Sequence, residues 1–336
     1  MKKYKTVVIG AGNIAKIHLK TLSNSERTEA AAVADIQLER AQSLAKLHGV
    51  RAYDNYQTMV IEEKPDIAVI TLPHHLHKDA AIWCIEQGCH VLIEKPMALN
   101  ALECDEICQA GEKHGAVVAV GHMQHYFPAN RKAKEIVQSG RLGELVMIID
   151  RRHYPYFLSE RPEWFLNQAQ SGGGIVINLG SHSIDKIQWL TGSYVNRVKG
   201  VLTYRGKRGN VEGSANILLT LESGLSAAVS LCGYEQVPVN ETELLFTGGS
   251  LKLNGMSSLW MSQGEERTYE EVKLDGMPEP FALQWEELLD AIQFGKELDI
   301  DGDYGRTVSA VIDAVYRSHL SGNEEWVEMR QSQFQL

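Results

Sequence analysis

The sequence predicts an α/β chain: a doubly wound parallel sheet first, then an α+β domain with a large, mostly antiparallel, open-faced sheet. Three observations carry this. Up to Val120, short apolar strand runs alternate with amphipathic helical stretches, the rhythm of a parallel sheet wound on both faces. From Val195 onward the patterns turn strand-like and are broken by turn signals at Gly206–Gly209, Ser223-Gly224, Gly248-Gly249 and Gly264, which implies short connections. At 336 residues the chain exceeds one comfortable core, so two domains are expected, over 1–121 and 122–336, with the C-terminal helices free to pack back on the first.

Composition narrows the function classes. The chain is 44% hydrophobic and 23% charged, ordinary for a globular protein. A net charge of −10 without a basic block argues against nucleic acid or an anionic membrane as partner. No apolar run approaches the length of a bilayer span. Met1-Lys2-Lys3-Tyr4-Lys5 has the charge of a signal-peptide start, but the apolar run behind it breaks at Gly10-Ala11-Gly12 without a cleavage-type segment. Five cysteines (Cys84, Cys89, Cys104, Cys108, Cys232) form no C-x-x-C pair. They read as buried or free thiols in a reducing compartment, and the expected location is the cytoplasm.

Along the first half, Tyr4–Ile9 reads as a strand broken by Gly10-Ala11-Gly12-Asn13-Ile14-Ala15, a G-x-G-x-x-A turn ahead of a helical pattern. Gly10 permits the tight turn, Gly12 lets backbone approach a pyrophosphate, and small Ala15 lets the helix pack close to the sheet. A second strand, Ala30–Ala34, ends at Asp35, roughly 20 residues on, where an acid can accept both hydroxyls of an adenosine ribose. The first domain therefore reads as a Rossmann dinucleotide-binding unit. Asp35 would repel a ribose 2′-phosphate, Ile36 and Gln37 offer no cation, and Arg40 sits on an exposed helix face, so NAD is favoured over NADP.

A helix over Gln37–Leu47, a strand at Arg51–Tyr53, a helix from the cap Asn55 to Glu62 and a buried strand at Ile67–Thr71 follow. Pro73 opens a helix running to Gly88, with Met59 and Trp83 read as core. The strand His90–Ile93 then empties into Glu94-Lys95-Pro96. In an open parallel sheet ligands bind beyond such carboxyl ends, where Lys95 could hold a reacting hydroxyl. Asn100 caps a helix to about His114, and Ala116–Val120 is a sixth strand. Cys104 and Cys108 lie one helical turn apart, as a packed face does. His74, His75 and His77 sit together without a matching acid or thiol set, so no metal is expected.

In the second half, a helix over Pro128–Ser139 precedes a strand at Leu145–Ile149 that runs into Asp150-Arg151-Arg152-His153-Tyr154. A loop rich in proline and aromatics (Pro155–Leu166) leads to Gly172-Gly173-Gly174, whose lack of side chains implies close approach of backbone to a ligand or to the other domain. Ile175–Leu190 reads as a helix on which Asn178 and His182 share a face and Asp185 lies within reach of His182, a setting for a general base near neutral pH. Helices over Phe281–Phe294 and Asp303–Leu320 close the chain, and the uncovered sheet face is expected to dimerise.

Taken together, Gly10-x-Gly12-x-x-Ala15, Asp35, Pro73-x-x-x-His77, Glu94-Lys95-Pro96, Gly172–Gly174 and His182…Asp185 resemble the glucose–fructose oxidoreductase/inositol dehydrogenase/rhizopine-catabolism (Gfo/Idh/MocA) family over nearly the whole chain. The resemblance implies a homodimer or homotetramer, a nicotinamide cofactor, and a sugar or polyol as substrate. It implies cofactor contacts from Gly10, Gly12, Asn13, Ile14, Asp35, Leu72, Pro73, His77, Glu94 and Lys95. Lys95 would hydrogen-bond the substrate hydroxyl and His182 would be the general acid/base. Asn178 stands where the family commonly has an aspartate, and His74 where it has an asparagine. Gln124, His153, Tyr234 and Asp185 would line the substrate. An amide cannot stabilise an imidazolium by charge as a carboxylate does. The expected reaction is NAD-dependent hydride transfer at a hydroxyl carbon of a sugar, inositol or related polyol. The rivals are an NAD-dependent glycosidase acting by transient oxidation and elimination, and a non-catalytic NAD-binding regulator.

Overall fold

The computed structural model describes residues 3–265, 267–274, 276 and 278–330. Met1 and Lys2 of the basic start, and 331–336 of the expected second domain, lie outside the described residues. The chain divides into two compact units, Met1–Met123 with Pro278–Arg306, and Gln124–Met277 with Thr307–Leu336.

In chain order the first stretch runs β1 (Tyr4–Ile9), α1 (Asn13–Asn24), β2 (Thr28–Ala34), α2 (Leu38–His48), β3 (Arg51–Tyr53), α3 (Tyr56–Glu63), β4 (Ile67–Ile70), α4 (His77–Glu86), β5 (His90–Ile93), α5 (Ala101–His114) and β6 (Val118–Val120). The second runs α6 (Pro128–Ser139), β7 (Leu145–His153), the single turn α7 (Gln168–Ser171), α8 (Ser181–Thr191), β8 (Val195–Thr203), β9 (Ser214–Leu221), β10 (Ser226–Cys232), β11 (Val239–Phe246), β12 (Gly249–Asn254), β13 (Ser258–Gln263) and β14 (Glu270–Glu271). After these come α9 (Pro280–Phe294), α10 (Gly302–Ser321) and β15 (Glu325–Trp326).

The first unit holds a parallel sheet in the order β3-β2-β1-β4-β5-β6, so strand order reverses between β1 and β4. Strands covered on both faces need apolar residues at every position, and Val7, Val8, Ile67, Val69, Val91 and Ile93 are wholly buried. Asn55 and Asn100 cap α3 and α5, each side-chain oxygen accepting a backbone N–H at 2.9 Å, from Thr58 and Glu103. Helix α9 packs here as well. Leu288 and Leu289 share a cluster with Leu19, Leu22 and Leu44, and the Trp285 indole N–H donates to the Thr28 hydroxyl at 2.7 Å.

Three local readings change. The helix expected after Pro73 opens with a 3-10 turn at His74–Leu76 before α4, and β6 is confined to Val118–Val120. Met59 is wholly buried, but Trp83, also read as core, is only partly covered and meets Tyr56 edge-on at 5.6 Å.

The second unit carries a nine-stranded sheet ordered β14-β13-β12-β11-β7-β10-β9-β8-β15, in which β7 and β10 pair in parallel and the other pairings are antiparallel. Period-two alternation sends Ile148, Ile217, Leu219, Leu231 and Leu244 to a buried face with Ile184 and Ile187 of α8, and leaves Leu218 and Val201 exposed on the other. Strand β7 does not stop at Ile149 but continues to His153, so Asp150 to His153 take alternate faces.

Candidate functional site

The candidate residues fall into one group on each unit. In the first, the turn after β1 is shaped by Gly10 at φ 100°, where a Cβ would lie 2.7 Å from the Thr71 carbonyl oxygen. The Thr71 hydroxyl fastens the same turn from the end of β4, donating to the carbonyls of Ile9 and Gly10 at 3.0 and 3.1 Å. Gly12 is different. A Cβ there would meet nothing within 4 Å, and Gly12 brings no side chain to cap the N-terminal N–H groups of α1. Asn13 and Ile14 begin that helix at the surface, while Ala15 is wholly buried against the sheet.

Beside this turn, Asp35 accepts the Ala11 N–H on Oδ2 and the Gln37 N–H on Oδ1, both at 2.9 Å. Each carboxylate oxygen keeps a further acceptor position for a ribose hydroxyl. Ile36 is 91% exposed and Arg40 lies on the exposed side of α2. Open backbone over Gly12, an uncapped helix start and a fixed acid fit a dinucleotide's pyrophosphate and ribose.

Glu94 follows β5 and is buried, its Oε1 2.8 Å from Nε2 of His18 on α1. Burial pushes the Glu94 carboxyl up, but the His18 hydrogen bond and the charges of His18, Lys95 and His77 outweigh it and hold it below the usual range. Lys95 is half-buried, its backbone N–H donating to Glu94 Oε2 at 3.2 Å, and the Lys95–Pro96 peptide is cis. His77 ties the two neighbouring loops together: Nδ1 lies 2.9 Å from the Pro96 carbonyl oxygen and Nε2 2.8 Å from that of Leu72. Burial lowers its pKa. Leu72, Pro73, His77, Glu94 and Lys95 are thus gathered by direct contacts at the carboxyl ends of β4 and β5. His74 is buried beside His77, with ring centroids 5.9 Å apart. Among the described residues no three His, Cys, Asp or Glu side chains are placed to hold a metal.

In the second unit, residues Val176–Gly180 form a wide π-type turn that feeds α8, in place of one regular helix from Ile175. Such turns recur at functional sites. Asn178 is 8% exposed, and its amide is hydrogen-bonded to the hydroxyl of Tyr156, which burial pushes up to about 12. His182 is half-exposed at the start of α8. Asp185 is wholly buried and lies 2.8 Å from Nε2 of His125.

The glycine triplet makes close approaches within its own unit. A Cβ on Gly173 would lie 1.8 Å from the Tyr316 hydroxyl, and one on Gly174 2.1 Å from the Glu212 carbonyl oxygen. Buried Glu212 receives the N–H groups of Gly174 and Val176 at 2.9 Å and the Tyr316 hydroxyl at 2.9 Å, and burial raises its pKa.

Parity along β7 sorts the remaining candidates. Asp150 and Arg152 point to the α8 side, where the Ser183 hydroxyl donates to Asp150 at 2.5 Å and Arg152 Nε donates to Ser183 at 2.9 Å. His153 therefore faces the opposite side of the sheet from α8, 3.4 Å from the Ser230 hydroxyl. Burial and Arg151 lower its pKa. Gln124 is 4% exposed, and its side-chain oxygen accepts from Asn130 and Arg152 at 3.3 and 3.4 Å. The Tyr234 hydroxyl receives the Arg205 N–H at 2.8 Å and lies 3.0 Å from that of Thr203.

Sequence reasoning missed His18, Arg152, Tyr156, Lys186 and Glu212. Lys186, wholly buried on α8, donates to Thr242 at 2.7 Å, and Thr242 donates to Asp150 at 2.7 Å. Burial first, then Arg152, bring the Lys186 amine down to about 8. An unusually polar α8 (Ser183, Lys186) was the available signal.

Profiles of two domains of one family match this chain. The Gfo/Idh/MocA oxidoreductase family, NAD-binding Rossmann fold, matches residues 4–122, and the GFO/IDH/MocA C-terminal domain matches 130–252. The chain belongs to this family. The Gfo/Idh/MocA chain is 31% identical to D-glucoside 3-dehydrogenase of Escherichia coli (strain K12) over 56% of its own length and 54% of that protein's. It spans little more than half the length of the first curated relatives it matches. It is 24% identical to 2,7-anhydro-N-acetylneuraminate hydratase of Mediterraneibacter gnavus, with 95% of each chain covered. Its fold is that of aldose–aldose oxidoreductase from Caulobacter crescentus complexed with glycerol, at a TM-score of 0.89 and 23% identity over 97% of this chain and 100% of the other.

Proposed function

We propose that the protein is an NAD-dependent oxidoreductase transferring a hydride between nicotinamide and a hydroxyl-bearing carbon of a sugar, inositol or related polyol. The observation that carries it lies within the first unit: open Gly12, fixed Asp35 and half-buried Lys95 stand at the carboxyl ends of β1, β2 and β5 on one edge of one sheet. Family membership and the names of its relatives support the reaction class.

NAD held by Gly10, Gly12, Asn13, Ile14 and Asp35 would supply the hydride acceptor. Lys95 holds the substrate hydroxyl and steadies the alkoxide as it forms, because an ammonium out of bulk water stabilises developing negative charge. His182 takes the hydroxyl proton, and Tyr156 fixes Asn178 one helical turn before it. Asp35 with no cation at Ile36 or Gln37 supports NAD over NADP.

We assign the protein to the cytoplasm, on five free cysteines of which four are buried. Among the described residues no helix is long and apolar enough to cross a membrane. The sheet face bearing Leu218 and Val201 is proposed to pair copies into a dimer or tetramer.

The test is NADH formation by wild type, Lys95→Ala and His182→Ala on a panel of sugars, sugar acids and inositols. Turnover lost in both variants while NAD still binds supports the reading. A wild type that binds NAD and reduces it on nothing, or that cleaves aryl glycosides without net reduction, overturns it.

A further inference from the structure

The loop between β7 and the π-type turn carries a cation that the reaction above does not use. The Arg161 guanidinium lies over the Tyr156 ring at 4.1 Å and near the Phe165 ring at 5.1 Å. Its Nε is buried and, among the described residues, has no hydrogen-bond partner. Burial lowers its pKa, and Tyr156, Tyr154 and Glu160 only partly offset that. The nearby basic and acidic groups are otherwise engaged. Arg208 pairs with Glu163 and donates to the Leu158 carbonyl at 2.8 Å, while fully exposed Glu160 takes the Ser159 hydroxyl at 3.0 Å.

Contact with aromatic faces uses the plane of the guanidinium and leaves its edge of N–H donors unfilled. A buried donor without a partner is costly, so such an edge calls for an acceptor. Tyr156 connects that edge to the proposed chemistry. Wholly buried, it stacks under Arg161, donates to the Phe165 carbonyl at 3.4 Å, and is hydrogen-bonded to Asn178, four residues before His182. Arg161 is thus one shared ring away from Asn178, four residues before the proposed proton acceptor.

Resting on the function proposed above, we infer that Arg161 binds a carboxylate of the substrate, so that the sugar or polyol taken is an acid, such as an aldonate or uronate. A single planar fork matches the two oxygens of a carboxylate. A phosphate is commonly met by several donors, and Arg208, the next cation along this loop, is already paired.

The experiment is calorimetric titration of the NAD-loaded protein with matched probes: D-glucuronate against D-glucose and the glucuronate methyl ester, D-galacturonate against D-galactose, and D-gluconate against D-glucitol. Glucose 6-phosphate and inorganic phosphate complete the panel. Wild type should bind at least one acid about 10- to 100-fold more tightly than its neutral partner. Arg161→Gln should abolish the preference and Arg161→Lys should retain part of it, with NAD affinity unchanged. Equal affinity for every acid and its neutral partner overturns the inference. So does a preference that survives in Arg161→Gln, or a phosphate-ester preference that Arg161→Gln removes. Should Arg161→Gln not fold, Arg161→Lys together with the wild-type comparison of glucuronate and its ester decides. Because heat is read rather than NADH, an acid preference without turnover sinks the dehydrogenase reading and sustains this one. Turnover of neutral sugars with no acid preference does the reverse.

Discussion

Replacing Gly10 and Gly12 separately by alanine should split folding from cofactor binding. Gly10 sits at φ 100°, and a Cβ there would stand 2.7 Å from the Thr71 carbonyl oxygen and 2.9 Å from its hydroxyl. The first contact is backbone at the end of a central strand, which cannot swing away. Left-handed strain of about 1–3 kcal/mol plus this clash puts Gly10→Ala at about 2–4 kcal/mol. For a unit of this size that is a fall in Tm of roughly 5–15 °C. Gly12 has φ −77° and ψ −171°, open to any residue, and nothing within 4 Å of a Cβ. Alanine is a poorer N-cap than glycine, but it also removes freedom from the unfolded chain, so the two effects leave Gly12→Ala within about 1 kcal/mol of wild type. The added methyl would, however, stand where a pyrophosphate must approach backbone, and NAD affinity should fall at least about tenfold, some 1.4 kcal/mol. Thermal unfolding reads the first effect and calorimetric NAD titration the second. A Gly12→Ala protein that loses as much Tm as Gly10→Ala, or that binds NAD as wild type does, refutes the reasoning.

Other perturbations have equally definite outcomes. Lys95→Met should lower kcat by about 100- to 1000-fold, or 2.7–4 kcal/mol, in steady-state assays on the best substrate, because it removes one donor to the developing alkoxide. The Glu94 carboxyl is held below its unfolded pKa, so its contribution to stability is present above about pH 4.5 and is lost as pH falls through the lower folded value. The urea midpoints of wild type and Glu94→Gln should therefore converge as pH falls through that folded value, and a constant gap would refute the pairing with His18. Lys186 gives the same sense in a higher pH range. With its amine lowered from 10.5 to about 8, the unfolded chain binds more protons between those values, and the stability of the second unit should rise with pH from 8 towards 10. Lys186→Met should flatten that rise in urea unfolding.

What the sequence disclosed and what it hid follow from the range of the interactions. Gly10, Gly12, Ala15 and Asp35 act through local backbone geometry, so residue type and spacing suffice to place them. Asn55 and Asn100 cap helices within three residues of themselves and are equally visible. His18 pairs with Glu94 across 76 positions, and nothing about a helix histidine near the N-terminus announces it. Periodicity also misled. Ser183 and Lys186 flank Ile184 and Ile187 and look like the wet side of α8, yet they are buried against Asp150 and Thr242. The charged run Asp150 to His153 lay beyond the strand expected over Leu145–Ile149. It is a strand, because its charges on one side are paired with α8 and those on the other face solvent or Glu241.

The same accounting bears on the substitution of an amide at Asn178. Three acids surround the α8 region of the second unit, and each has defined work. Asp185 meets His125, Asp150 takes Ser183 and Thr242 between Arg152 and Lys186, and Glu212 takes Tyr316 and the N–H groups that open the π-type turn. Asp150 lies between two cations, Arg152 and Lys186, and Asp185 adds a second negative charge that acts on Lys186. An amide at position 178 brings no charge to this helix, so in the proposed reaction more of the stabilisation of an alkoxide would rest on Lys95. An anionic substrate would change that, since its carboxylate would bring into this unit a negative charge that Asn178 does not supply.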